Sequence, residues 1–243
     1  MLFFYIRHGD PIYNPDSLTP LGERQAEAVG KRLAMFGIDE IYSSTSERAK
    51  LTAKPLCELL KKDLSTLDFA NEGHAWRELT CYSKARECHT WLFFAPELRE
   101  AFHTPEMISL GHRWYEHPIF STEEYQGNNY AEGIARIQNG ADSFFESLGY
   151  KRVGDGKYKV INDTDKRVAL FAHQGFGLAF LSCVLGIPYP HFTTHFDICT
   201  SGMTVIEFKE ENGYAYPRVL MHSSDSHIYK EGLPTRYNGR APF

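Results

Sequence analysis

Two histidines in this chain stand directly after apolar runs. "LFFYIRHGD" places Arg7 and His8 after the apolar residues 2–6, and "RVALFAHQG" places His173 after a second such run. An imidazole can act as a nucleophile or move a proton near neutral pH, and a guanidinium grips phosphate or carboxylate through paired N–H donors. Arg48 follows another strand candidate, "DEIYSS", in what the spacing makes the first turn of a helix, where free backbone N–H groups also favour an anion. In an open α/β sheet, ligands bind beyond the carboxyl ends of the strands, so all four side chains would reach one crevice. Two arginines, two imidazoles and a helix N-terminus there describe a phosphate pocket.

The elements that must carry these residues are legible along the chain. Residues 2–6 read as a buried strand, which turns at Gly9. Thr19 is a helix N-cap with Pro20 at the first helical position, and Leu21, Ala26, Val29, Leu33 and Phe36 recur at helical spacing until Gly37. Residues 39–44 form a second strand, and Ser44 with Glu47 predicts a capping box for a helix to about Leu60, kinked near Pro55. A third strand falls at 64–69. From 70 to 127 no period persists, which predicts an insertion or lid. Periodicity returns in a helix over 129–149, where Ile134, Ile137, Ala141, Phe144 and Leu148 share a face. A hairpin at 151–161, a strand at 167–173, a helix at 175–187 and an antiparallel pair made by "MTVIEF" and "YAYPRVLMH" complete the chain.

Composition narrows the function. The 243 residues suit one large α/β domain, and a formal charge of −5 offers no basic stripe for nucleic acid. "MLFF" is too short for a signal peptide's apolar region, and no run approaches 18 apolar residues, so neither export nor membrane spanning is expected. Five cysteines form an odd set with no C-x-x-C pair, which fits a reducing compartment and a cytoplasmic location. His191 and His195 are spaced i, i+4, but Phe192 stands where a zinc-protease helix needs glutamate, and no metal is expected.

"RHGDPIYN" (7–14), "LTPLGERQA" (18–26), "YSSTSERAKLTA" (42–53), "AWREL" (75–79) and "FAHQGFG" (171–177) occur in an order that resembles the histidine phosphatase superfamily, in its phosphoglycerate-mutase-like branch. Asp10, Pro11 and Gln174 differ from the acid-phosphatase and phytase branch. The resemblance implies a three-layer α/β sandwich: a mostly parallel central sheet, helices on both faces, and a single domain over 1–243 with a cap inserted at about 80–128. It implies hydrolysis of a small phosphate monoester through a phosphohistidine, with no metal or cofactor. His8 would be the nucleophile; Arg7, Asn14, Arg48 and His173 would hold the phosphoryl oxygens; and Glu78 would protonate the leaving alkoxide, with Glu72 and Asp10 as competitors.

Rival readings carry their own marks. Mutase chemistry would call for an "L-N-E-R-x-Y-G" signature around the acid, where this chain has "AWRELTCY". A phospholigand-binding protein without turnover would keep the arginines and histidines and lack the acid. A metallohydrolase would lose activity in chelator. The aromatics between Trp76 and Tyr130 are read as core of the cap, the alternative being a wall for an apolar or aromatic substrate.

Overall fold

The computed structural model describes residues 1–242. Strand β1 (Leu2–Arg7) leads through a small hairpin, β2 (Pro11–Tyr13) and β3 (Asp16–Leu18), into α1 (Pro20–Ala34), β4 (Glu40–Ser44), α2 (Glu47–Leu60) and β5 (Leu64–Leu67). Between β5 and the next long helix come α3 (Glu72–Glu78), the hairpin β6 (Thr80–Ser83) and β7 (Cys88–Trp91), α4 (Pro96–Ala101), α5 (Pro105–Leu110) and short 3₁₀ turns. Then come α6 (Tyr130–Ser147), β8 (Tyr150–Gly154), β9 (Lys157–Val160), β10 (Arg167–Ala172), α7 (Gln174–Leu185) and α8 (Tyr189–His195). The chain closes with β11 (Met203–Glu207), β12 (Glu210–Glu211), β13 (Tyr214–Ala215), β14 (Arg218–Ser224) and α9 (Ser226–Lys230).

The central sheet has the order β14-β11-β1-β10-β4-β5. β1, β10, β4 and β5 pair in parallel, and β11 joins β1 antiparallel. Alternation along β1 sends Phe3 and Tyr5 to one face, with Phe145, Phe176 and Phe180 of α6 and α7, and Phe4 and Ile6 to the other, with Val29, Leu33, Ala53 and Leu56 of α1 and α2. These two apolar clusters make the sheet the middle of three layers, as the sequence predicts.

Three local expectations differ from the structure. The Ser44–Glu47 capping box does not form, because the chain stays extended through Ser46, which is the N-cap of α2. Ser44 accepts a bond from the Ser46 N–H and turns its hydroxyl to His173. The terminal antiparallel pair is β11 with β14 alone, while β13 peels off to pair with β9 in a second sheet. Pro217, between β13 and β14, has no N–H to continue a ladder. The aromatics between Trp76 and Tyr130 divide: Trp114, Phe120, Tyr125 and Tyr130 pack in the main core with Tyr189, whereas Trp76 is 40% exposed.

The turn after β1 presses on the start of α1. A Cβ on Gly22 would lie 2.2 Å from the Asp10 carbonyl oxygen, and one on Gly9 2.6 Å from that of Gly22. Backbone meets backbone, so neither can yield cheaply. Gly22→Ala is expected to lower stability by about 1–3 kcal/mol, seen as a lower urea midpoint at unchanged slope.

Candidate active site

Parallel register delivers the two histidines together. Arg7 pairs with Ala172 at the ends of β1 and β10, so His8 and His173 are the next residues out, with ring centroids 5.2 Å apart. The His8 backbone continues both ladders: its N–H donates to the Ala172 carbonyl (2.9 Å), and its carbonyl accepts from the Ser201 N–H (3.0 Å). The Tyr5 hydroxyl clamps the other partner, donating to the His173 carbonyl (2.6 Å) and accepting from the His173 N–H (3.1 Å). Arg7, His8 and Arg48 line one cleft of about 600 Å³, and Arg7 and His8 are almost wholly buried, at 1% and 3% exposed.

Hydrogen bonding settles the imidazole tautomers. His8 Nδ1 lies 2.7 Å from the Gly9 carbonyl oxygen, which can only accept. The Nδ1 proton is therefore committed, and Nε2 keeps its lone pair. Burial pushes the His8 pKa well below the usual histidine value, and Arg7 and Arg48 push the same way, so the ring is neutral. His173 takes the opposite tautomer: Arg48 Nη2 donates to its Nδ1 (3.1 Å), so Nε2–H donates to the Ser44 hydroxyl (2.7 Å). Its pKa is also held low, by burial first and then by His8 and the two guanidiniums. Both His173 nitrogens are thus engaged, and its ring packs behind Arg48 with no exposed surface.

The guanidiniums are fixed from behind. Arg7 donates to the Ile198 carbonyl and to Asn238 Oδ1, each at 2.6 Å, and Arg48 forms an ion pair with Asp16 (2.7 Å). The Nε atoms of both arginines are buried without a partner. A buried unpaired donor carries a desolvation penalty.

The carboxylates separate sharply. Glu72 lines the cleft, and its two oxygens accept the N–H groups of Gly175 and Phe176, both at 3.1 Å. It thereby caps α7, whose own N-cap residue His173 makes no side-chain cap bond. Burial raises the Glu72 pKa above the usual carboxylate value, against the opposing pull of these N–H bonds and of Arg48. Glu78 lies six residues along α3, about 120° around the helix, and faces α6. There it forms a bidentate pair with Arg136 (2.6 and 2.7 Å) beside Gly133, where a Cβ would approach Glu78 Cβ to 2.5 Å. Asp10 accepts from Thr19 (2.8 Å) and pairs with Arg236 (3.4 Å), outside the cleft lining. Asn14 is exposed in the β2–β3 turn and does not line the cleft.

Sequence reasoning missed Asn238, which returns from the chain's end to bridge Arg7 and Gln174. No local pattern marks it. Among the described residues no group of three or more His, Cys, Asp or Glu side chains is placed to hold a metal ion, and no helix is long and apolar enough to cross a membrane. The five cysteines are free.

Residues 3–106 match the model of the histidine phosphatase superfamily, branch 1. No curated protein matches this sequence. Among solved structures, the fold is similar to that of phosphoserine phosphatase from Entamoeba histolytica (18% identity, TM-score 0.57, covering 93% of this chain and 98% of that one). It is also similar to mycobacterial glucosyl-3-phosphoglycerate phosphatase (18%, 0.58, 93% and 99%) and to α-ribazole phosphatase from Shigella flexneri (18%, 0.56, 90% and 96%).

The buried neutral rings link stability to pH. Below about pH 6.5 the unfolded chain's histidines take up protons that folded His8 and His173 refuse, so stability is present above that value and is lost as pH falls. The thermal midpoint is expected to drop between pH 7.5 and 5, and less steeply in His173→Gln than in the native chain.

Proposed function

We propose that this chain, whose residues 3–106 match the histidine phosphatase superfamily model, hydrolyses a phosphate monoester through a covalent phosphohistidine on His8. The observation that carries this reading is the commitment of His8 Nδ1–H to the Gly9 carbonyl, which leaves the Nε2 lone pair free in a cleft between two guanidiniums.

In the first step His8 Nε2 forms a bond to phosphorus as the bond to the ester oxygen breaks. The electron pair leaves with that oxygen, which takes the Glu72 carboxyl proton and departs as the alcohol. Arg7 and Arg48 balance the charge on the phosphoryl oxygens, and such electrostatic positioning is most of what phosphoryl transfer asks of a protein. In the second step Glu72, now ionised, accepts a proton from water as the water oxygen attacks phosphorus. The P–N bond breaks, its electrons return to Nε2, and orthophosphate is released. His173 acts here by holding Arg48 in place.

Glu72 takes the acid role over Glu78 on geometry and on charge. It shares the cleft with His8, its raised pKa suits a proton donor, and a phosphate dianion alongside would raise it further. Glu78 is spent on Arg136.

His8→Ala should abolish turnover and the acid-labile phosphoprotein seen in rapid-quench labelling. Glu72→Gln should slow an alkyl monoester by about 10²–10⁴-fold. The loss should be much smaller for 4-nitrophenyl phosphate, whose leaving group needs no proton. Glu78→Gln should instead lower the melting temperature and keep most of kcat; equal losses in the two variants would refute the assignment. With His8 held neutral by burial and by Arg7 and Arg48, any acid limb from the nucleophile should lie well below the usual histidine range. The rate on an alkyl monoester should fall as pH rises through the elevated Glu72 pKa.

A further inference from the structure

The cleft is much larger than a phosphoryl group, and its two ends differ in chemistry. Arg7, His8, Arg48 and Glu72 form one end. The remaining lining is largely aromatic: Trp76 from α3, Trp91 from β7 and Phe94 just beyond it, with Tyr13 from β2 set against the Arg48 guanidinium (5.4 Å). Trp76 meets Trp91 edge to face (5.1 Å, 89°), and Trp91 stacks on Phe93 (5.8 Å, 10°).

This wall is held rigidly against the reacting end. A Cβ on Gly175 would fall 2.2 Å from Trp91 Cζ2, so the indole lies directly on the backbone of α7's first turn. The same turn supplies the N–H groups that hold Glu72. A ring on the leaving alcohol would therefore meet Trp91 while the ester oxygen faces the acid.

Charge restricts the alcohol further. The cationic side chains lining the cleft are Arg7 and Arg48, both beside the neutral His8. The remaining polar lining is neutral, and Asn71, Gln174 and Asn238 already bond within the protein. A carboxylate or second phosphate on the substrate would face indole rings and Glu72 with no counter-ion, an arrangement that carries a heavy desolvation penalty.

Building on the hydrolytic reading above, we infer that the substrate is a phosphomonoester of an aromatic or arylalkyl alcohol with no second anionic group. Aromatic contacts of this kind favour a ring over an aliphatic group of similar area.

The test compares 2-naphthylmethyl phosphate with glycerol 1-phosphate, whose leaving alcohols are of similar basicity, and with phosphoserine and 3-phosphoglycerate, which carry a carboxylate. Steady-state kinetics on the native chain should give a kcat/KM for the naphthylmethyl ester about a hundredfold above the carboxylate-bearing esters, mainly through KM. Trp76→Ala should shrink the naphthylmethyl-to-glycerol ratio about tenfold. Comparable rates on all four esters, or an unchanged ratio in the variant, would overturn the aromatic assignment and leave the phosphohistidine reading intact. If none of the four esters, nor 4-nitrophenyl phosphate, is turned over and no phosphoenzyme forms, the hydrolytic reading fails and this inference fails with it.

Discussion

Everything at this site depends on β1 and β10 ending level with each other. The His8 N–H takes the Ala172 carbonyl as the next rung of the parallel ladder, and Ser201 closes on His8 from the antiparallel side. His8 is thereby held from both neighbours although it lies outside the strand itself. Tyr5, two residues before Arg7, reaches across the same pair and fixes the His173 peptide through both its N–H and its carbonyl. A one-residue slip in this register would send Arg7 and His8 to the wrong faces, and the burial of Phe3 and Tyr5 on one side and Phe4 and Ile6 on the other forbids it.

The electrostatics follow from that placement. Two guanidiniums crowd two buried imidazoles, and the rings respond by remaining neutral, one with its proton on Nδ1 and the other on Nε2. The difference between them lies in their partners: a carbonyl oxygen beside His8 can only accept, and a guanidinium beside His173 can only donate. One imidazole is left with a lone pair facing the cleft, while the other becomes a support for Arg48. Asp16, Glu72 and the α7 N-terminus surround this cluster and balance it without neutralising the arginines' buried Nε–H groups.

The segment between β5 and α6 contributes more than cover. Its helix α3 presents Glu72 to the cleft and Glu78 to α6, so one short element supplies a cleft carboxylate and an anchor. Its hairpin sets Trp91 on α7, and its remaining aromatics continue the main core around Trp114 and Tyr189. The chain's last residues add Asn238 beside Arg7, and Arg236 pairs with Asp10 at the turn after β1.

The amino-acid sequence by itself determined the parts of this protein that rest on local pattern. Apolar runs ending in Arg7–His8 and His173 announce buried strands with their chemistry at the carboxyl ends, Thr19–Pro20 marks the start of α1, and the ordered motifs point to the superfamily. Those signals are legible because strand burial, helix initiation and turn geometry are decided by neighbours along the chain. The tertiary structure alone decided which carboxylate enters the cleft, because Glu72 and Glu78 share one helix and only its packing between α6 and α7 tells them apart. It likewise decided that Ser44 bonds His173 in place of capping α2, that Pro217 sends β13 to a second sheet, that some aromatics form a cleft wall and others a core, and that Asn238 returns to Arg7. Each of these contacts joins residues brought together by packing, and no periodicity or spacing along the chain encodes where a distant segment will come to rest.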